Sequence, residues 1–482
     1  MEQSQSSGQI AVLDAEEKRP ERARGRWTRR GVWETSFLVA GLFLHFMLLP
    51  KYIVGDGYSR YLELSQLLSG HGIPVSRYSL IGPLFAAPLW YLGALASAPV
   101  AGLAAFNSIL FALGLLAFYF ILRDVMDRHV LRVFLLLLTF ASMFSYHILH
   151  FYGEVFTALF VALGLMLITL RSARGAFAGV VMVMLGVANT PVTVAAIALV
   201  AIKRVWDTRR LRYLSLALAP LALALAEAWL RRGSPLATGY GQVHGVASIM
   251  PFSGRPGFSY PLLFGLLAIF LSFGKGLLFF TPGLFLPVRR HFAALWGARS
   301  PIASMYTLWL LFVAGLVLVY AKWWGWNGDW FWGPRFFLFA CVPASFALAL
   351  WTQRPANRLS LNLLALLALA LSVWVGIEGP LFDQATLGVC YNNDMRLLPY
   401  CNFTPDFSAL WRPLVNAYLY GIGPRFMAME GLTPRSLTYG GFVLFIGVYI
   451  AAPLLRAIWL QTRAELAVWA PRVVDVARGL RF

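Results

Sequence analysis

Charged side chains are scarce, making up 13% of the 482 residues where a soluble globular chain carries roughly 25%. Acids are scarcer than bases, 21 Asp and Glu against 40 Lys and Arg, for a net charge of +19. No soluble basic segment carries that charge. It falls in short clusters between apolar runs, which argues against nucleic-acid binding and fits the cytoplasmic loops of a membrane protein. No Walker loop, dinucleotide fingerprint, zinc-protease motif or nucleophile elbow stands in a supporting context, which argues against soluble nucleotide-dependent chemistry. No cleavable leader is expected: residues 1–32 are polar, end in a basic run over 18–30, and read as a disordered cytoplasmic tail. Cysteine is limited to three. Cys341 lies in an apolar run, and Cys390 and Cys401 share a polar loop, where a disulfide and free thiols are both open.

Hydrophobic residues, by contrast, make up 59% of the chain. Apolar stretches near the ~20 residues needed to cross a bilayer recur along almost its whole length, too long and too unalternating for barrel strands. The expectation is therefore an all-α, polytopic transmembrane protein of about 11–13 membrane helices, its N-terminus cytoplasmic. Basic flanks set the path. Spans are expected near 33–50, 101–122, 131–150, 155–170, 211–230, 302–320, 336–351, 359–377 and 438–460, with a broken return over 260–288. Residues 59–68 have the apolar spacing of a surface helix, and the proline-rich 80–100 stretch reads as interfacial or re-entrant. Residues 175–202 lie between two basic groups and are too short for two crossings, so a half-depth hairpin turning at Asn189-Thr190-Pro191 and lining a cavity is expected. The domain reading is a tail over 1–32, a membrane module over 33–340 with an external loop over 51–78, further spans over 341–460 with an external loop over 378–437, and a cytoplasmic tail over 461–482.

On this topology the unusual polar residues collect on the external side. Asp56 sits in Gly55-Asp56-Gly57-Tyr58, directly after the first span. It reads either as a turn-forming loop carboxylate or as a general base whose flanking glycines admit a substrate. Glu154, after Tyr146-His147-Ile148-Leu149-His150, is an interfacial anchor or the second acid of a pocket. If a divalent cation is bound, Asp56, Glu154 and His150 would be its ligands. Lys275, in Ser272-Phe-Gly-Lys-Gly-Leu277, either snorkels to the interface or meets an anion. The run from Lys322 to Arg335 contains Trp324, Asn327, Asp329 and Trp332-Gly-Pro-Arg335. An aromatic belt explains its tryptophans but not Asn-Gly-Asp, nor the arginine entering the next span, which suits a phosphate at headgroup depth.

Together with Ala188-Asn189-Thr190-Pro191 and Gly233-Ser-Pro-Leu-Ala-Thr-Gly239-Tyr240, and in this order, these motifs resemble the membrane-embedded GT-C glycosyltransferases. That superfamily includes the bacterial aminoarabinose transferase and the protein O-mannosyltransferases. The resemblance extends over residues 33 to about 340 and departs at Pro191, where lysine often stands, and at Glu154, where aspartate is common. It implies a GT-C-like membrane fold in the bacterial cytoplasmic membrane with an extracytoplasmic site. It also implies a polyprenyl-phosphate-linked sugar donor, a glycan, lipid or protein acceptor, and an inverting transfer in which Asp56 is the base and Glu154 its acidic companion. Lys275 and Arg335 would hold the donor phosphate. Tyr58, Arg60, Asn189, Thr190, Tyr240, His244, Trp324, Asn327, Asp329 and Trp332 would line the substrates. The competing expectations are a transporter or flippase of lipid-linked sugars, an O-antigen ligase or polymerase, and a non-catalytic scaffold.

Overall fold

The computed structural model describes residues 28–240, 247–297, 300–329, 331–382, 390 and 395–479, with side chains to 467. His244 and residues 1–27 lie outside the described residues. The protein is all-helical, with no strand among the described residues. In chain order the main helices are α1 (Arg29–Leu48), α2 (Asp56–Leu68), α3 (Ala87–Leu95), α4 (Pro99–Leu122), α5 (Arg128–Phe140), α6 (Gly153–Leu170) and α7 (Ala173–Asn189). There follow α8 (Val194–Thr208), α9 (Leu211–Arg232), α10 (Leu262–Leu271), α11 (Pro301–Tyr320), α12 (Arg335–Gln353), α13 (Leu359–Leu381) and α14 (Pro434–Gly479). Eight of them, α1, α4, α6, α9, α11, α12, α13 and α14, are long and apolar enough to cross a membrane, the build of a multi-pass membrane protein.

Local chemistry sets the boundaries. Asp127 caps α5 by accepting from the backbone of His129 at 2.8 Å and Val130 at 3.0 Å. Ser300 caps α11 ahead of Pro301, whose fixed φ suits a first turn. The 80–100 stretch breaks into Ile81–Leu84 and the nine-residue α3, and neither piece is long enough to cross. At 260–288 the chain forms α10 and then breaks at Ser272 and Gly276 before short turns at Leu277–Phe280 and Pro282–Phe285, as the Gly-Lys-Gly interruption predicts. The expected span over 131–150 is not one helix: α5 ends at Phe140 after 13 residues and a short turn follows at Phe144–His147. Two further boundaries differ from expectation. The first helix begins at Arg29, within the predicted tail, and α14 continues through the region expected as a C-terminal tail, with Gly440, Gly441 and Pro453 accommodated inside it.

The expected half-depth hairpin is not formed. α7 runs antiparallel along α6: the pair touches closely at Gly164 and Gly179, and Asn189 at the end of α7 donates to the Gly153 carbonyl at the start of α6. The turn therefore lies level with the beginning of α6 rather than halfway along it. The helices incorporate residues assigned to basic loops, Arg174 in α7 and Lys203 and Arg204 in α8, reaching 17 and 15 residues, about 25 and 22 Å. Long basic side chains on an apolar helix can extend to the interface, which allows the extra turns.

Helix ends carrying the basic segments meet one another. Glu34, buried near the start of α1, binds Arg132 (2.6 Å) and His129 (2.6 Å) at the start of α5 and accepts from Tyr449 of α14 (2.9 Å). Arg171 donates to the last carbonyls of α4. The opposite helix ends gather Asp56, Glu154, Asn189, Arg231, Tyr320 and Arg335, and the short helices of the 398–429 region pack over that end, tied to Phe273 through Ser408 and Trp411.

Candidate active site

Gly55 sits at φ 55°, a conformation that costs a residue with a side chain, and so turns the chain directly into α2. Asp56 thereby opens the helix, where unpaired backbone N–H groups favour a negative charge. One carboxylate oxygen accepts from the Tyr78 hydroxyl at 2.6 Å, and the other accepts from Arg335 Nη2 at 2.8 Å. Arg335 Nη1 reaches Glu154 Oε1 at 3.3 Å, and its Nε donates to the Gly328 carbonyl at 3.2 Å. One guanidinium thus joins the starts of α2, α6 and α12 to the tryptophan-rich loop. Its Cζ lies 3.9 Å from the Phe331 ring centroid, a cation–π contact.

The electrostatics follow. Burial alone would push the Asp56 carboxyl up, but Arg335 and the Tyr78 hydrogen bond, with Arg60 behind them, outweigh it and hold Asp56 below the usual carboxylate value. Burial and the adjacent Asp56 charge both raise the Tyr78 phenol, so it remains a donor. Burial pushes the Asp329 carboxyl up against the pull of Arg335. Against the guanidinium lies a small cavity lined by Glu154, Thr190, Thr193 and Arg335 and by apolar side chains including Leu316 and Phe339. The turn after α7 does line a cavity, as expected, although it does so at the end of the bundle.

Comparison with known proteins identifies no relative: no family model, no curated protein and no solved structure matches the chain.

The remaining sequence-predicted residues divide into two groups. Arg60 and Thr190 lie beside the cluster: Arg60 donates to Ser79 O at 2.9 Å with its guanidinium against Gly153, and Thr190 shares a 2.9 Å hydrogen bond with Thr157. Tyr240 stands one layer out, over Arg77, which in turn donates to Tyr78. Trp324, Asn327 and Asp329 wall a second cavity, on the far side of the loop that Arg335 grips.

A second group takes structural roles instead of the predicted ones. Lys275 gives its three N–H donors to the carbonyls of Asp329 (3.0 Å), Phe331 and Gly333 (3.1 Å). It braces the loop that delivers Asp329 and Arg335, and it does not present a free ammonium to phosphate. Its glycine neighbours serve the same packing, since a Cβ on Gly274 would lie 2.1 Å from the Cys401 carbonyl. Asn189 accepts from Gly82 N (3.0 Å) and donates to Gly153 O (2.9 Å) and Thr157 Oγ1 (3.0 Å), which makes it a clamp between elements. Trp332 is buried, its indole N–H donating to Glu378 and its ring wedged against Tyr146 and Phe280. Tyr58 is half exposed and packs against Tyr61, away from the carboxylates. His150 stacks on Tyr152 and Tyr52, with Nδ1 3.2 Å from the Tyr146 carbonyl, and so does not join Asp56 and Glu154 as a metal ligand. No three His, Cys, Asp or Glu among the described residues converge to hold a metal ion. Cys390 and Cys401 form a disulfide, with Cα atoms 6.3 Å apart, while Cys341 is buried and free.

Sequence reasoning missed a third group. Tyr78 and Arg77 carry no local signal. Arg231 does: with Glu227 one turn earlier it forms an i,i+4 pair at the end of an apolar helix. It binds Glu63 at 2.8 Å and Glu227 at 3.0 Å and donates to the Pro74 and Tyr78 carbonyls. Glu227 also accepts from Ser79 and from Leu80 N, each at 2.7 Å, so α9 holds the 74–80 segment that delivers Tyr78 to Asp56.

Proposed function

We propose that the protein is an inverting glycosyltransferase of the bacterial cytoplasmic membrane. It would move a sugar from a polyprenyl-phosphate donor to a hydroxyl of a lipid, glycan or protein acceptor on the extracytoplasmic face. The observation that carries this reading is the single buried guanidinium of Arg335 bridging Asp56 and Glu154 against a small cavity with apolar walls. The arrangement suits a lipid anion: an arginine for the phosphate, apolar walls for the first part of the chain, and a carboxylate beside both. Eight described helices are long and apolar enough to cross, fewer than the 11–13 expected, and the GT-C-like reading rests on the order of the motifs. The basic helix ends, by the positive-inside rule, favour an external position for this site.

The chemistry is one displacement. The acceptor hydroxyl oxygen bonds to the anomeric carbon as the bond from that carbon to the phosphate oxygen breaks. The electron pair leaves with the phosphate, whose charge Arg335 neutralises, and Asp56 takes the hydroxyl proton. In the resting arrangement Asp56 is held by Arg335 and is a weak base. A donor phosphate that takes the guanidinium would release the carboxylate and raise its basicity, so the base is strengthened when the leaving group is in place. Glu154 keeps Arg335 aimed from its other side.

A transporter reading drew on a broken helix at mid-depth, and the position of Asn189 level with Gly153 removes that support. The test is release of polyprenyl phosphate from synthetic short-chain polyprenyl-phosphate sugars by the purified chain in the presence of envelope acceptors. Wild type should turn over, and Asp56→Asn should elute as a monodisperse protein with activity lowered by about 10²–10⁴-fold. Full activity in Asp56→Asn would discard the base assignment, and no release from any such donor would discard the function.

A further inference from the structure

The loop between α11 and α12 has two working faces. On one, Gly328 accepts from Arg335. On the other, its neighbours Trp324, Trp326, Asn327 and Asp329 wall a separate cleft, open to the surface and bounded also by Tyr260 and Asn402. Its composition differs from that of the Arg335 site. No lysine, arginine or histidine among the described residues lines it, and a carboxylate does. Among the described residues the wall itself offers a phosphate no cation. A lipid chain would fit poorly as well, because the wall includes two buried polar atoms with no partner, the Trp324 indole N–H and Asn402 Oδ1, in addition to Asn327 and Asp329. Asn402 is only 3% exposed, and a buried polar group left without a partner costs about 1–3 kcal/mol.

A ligand suited to this wall has flat apolar faces for the indoles and groups that both donate and accept. A sugar ring has both: its C–H faces lie on tryptophan, and each hydroxyl can donate to Asn402 Oδ1 or Asp329 and accept from Trp324 N–H. Asp329 connects the two sites. Its backbone carbonyl is held by Lys275, its left-handed conformation (φ 61°) follows directly on Gly328, and its carboxylate is close enough to Asp56 and Arg335 for their charges to act on it.

We propose that this cavity is a carbohydrate subsite that receives an uncharged sugar ring of the acceptor, while the donor phosphate takes the Arg335 face of the same loop. The acceptor role rests on the glycosyltransferase reading, whereas the preference for an uncharged ring rests on the cavity alone. The acceptor is then a glycan or glycolipid, and the reaction that supplies it is an earlier glycosylation. Peptide binding becomes an outcome of the test.

The experiment uses the full chain in detergent and a panel of gluco-, manno- and galacto-configured disaccharides, a serine- and threonine-containing peptide, and a short-chain polyprenyl phosphate. Binding is read by saturation-transfer NMR and titration. At least one neutral disaccharide should bind. Trp324→Ala should weaken it about tenfold, equivalent to about 1.4 kcal/mol, and leave polyprenyl phosphate unchanged. Arg335→Ala should weaken the phosphate and spare the disaccharide. Asn327→Ala, a smaller change, provides the same reading if Trp324→Ala fails to fold. The subsite is overturned if no disaccharide binds, if the peptide binds in its place, or if binding ignores both loop substitutions. Failure of the disaccharides with polyprenyl phosphate still bound sinks the subsite alone. Disaccharide binding without any affinity for polyprenyl phosphate keeps the subsite and sinks the transferase reading.

Discussion

Arg335→Ala is the substitution on which the site's electrostatics can be tested most directly. The guanidinium is 5% exposed and holds two carboxylates, at 2.8 and 3.3 Å, whose own side chains are 24% and 15% exposed. Removing one partner of a buried pair costs roughly 3–5 kcal/mol, and the partial exposure of Asp56 and Glu154 places the expected loss near the lower end, about 3 kcal/mol. The sign of the pH dependence adds a second constraint. In the wild type Asp56 is depressed below its unfolded value of ~3.9, so its contribution is present above that pH and is lost as pH falls through the folded value. In Arg335→Ala the two carboxylates face each other without a cation, and the repulsion is greatest at neutral pH and relieved as acid protonates one of them. The gap between the apparent melting temperatures should therefore narrow from pH 7 to pH 5. Glu154→Gln added to Arg335→Ala should recover part of the loss at pH 7. Thermal unfolding followed by tryptophan fluorescence in one detergent measures all three proteins. Equal melting of Arg335→Ala and wild type at pH 7, or a gap that widens on acidification, would refute the reasoning.

Tyr78→Phe removes the 2.6 Å donor to Asp56 and leaves the Arg335 pair in place. A carboxylate with one donor fewer is less stabilised, so the acidic limb of the kcat/KM profile should move to higher pH, whereas a purely structural role would lower activity evenly across pH. The Cys390–Cys401 bond should be present in protein isolated from the membranes of expressing cells with thiols blocked at lysis. Mass spectrometry should find both cysteines unblocked until reduction, because such a bond persists only in an oxidising compartment. Blocked Cys390 and Cys401 before reduction would place that loop on the cytoplasmic side and overturn the proposed orientation.

The amino-acid sequence by itself determined the class of molecule. Apolar runs of spanning length, basic clusters between them and the Gly-Lys-Gly and proline interruptions are local properties, and most of the runs and both kinds of interruption recur in the helices and breaks, the 131–150 run excepted. It also singled out Asp56, Glu154 and Arg335, because charges beside apolar spans are costly and so conspicuous. Which charge meets which was decided by tertiary packing. Arg335 reaches two acids from distant parts of the chain only because the starts of α2, α6 and α12 converge. Lys275 has the same sequence-level signature as Arg335, but its glycines let the Cys401–Asn402 backbone approach and its ammonium turns to three loop carbonyls. The depth of the Asn189 turn, the burial of Trp332 and the delivery of Tyr78 to Asp56 were likewise set by neighbouring helices. Hydropathy and charge bias are summed along a segment and are legible in it. A hydrogen-bond partner is a property of two surfaces, and it exists only after both have been packed.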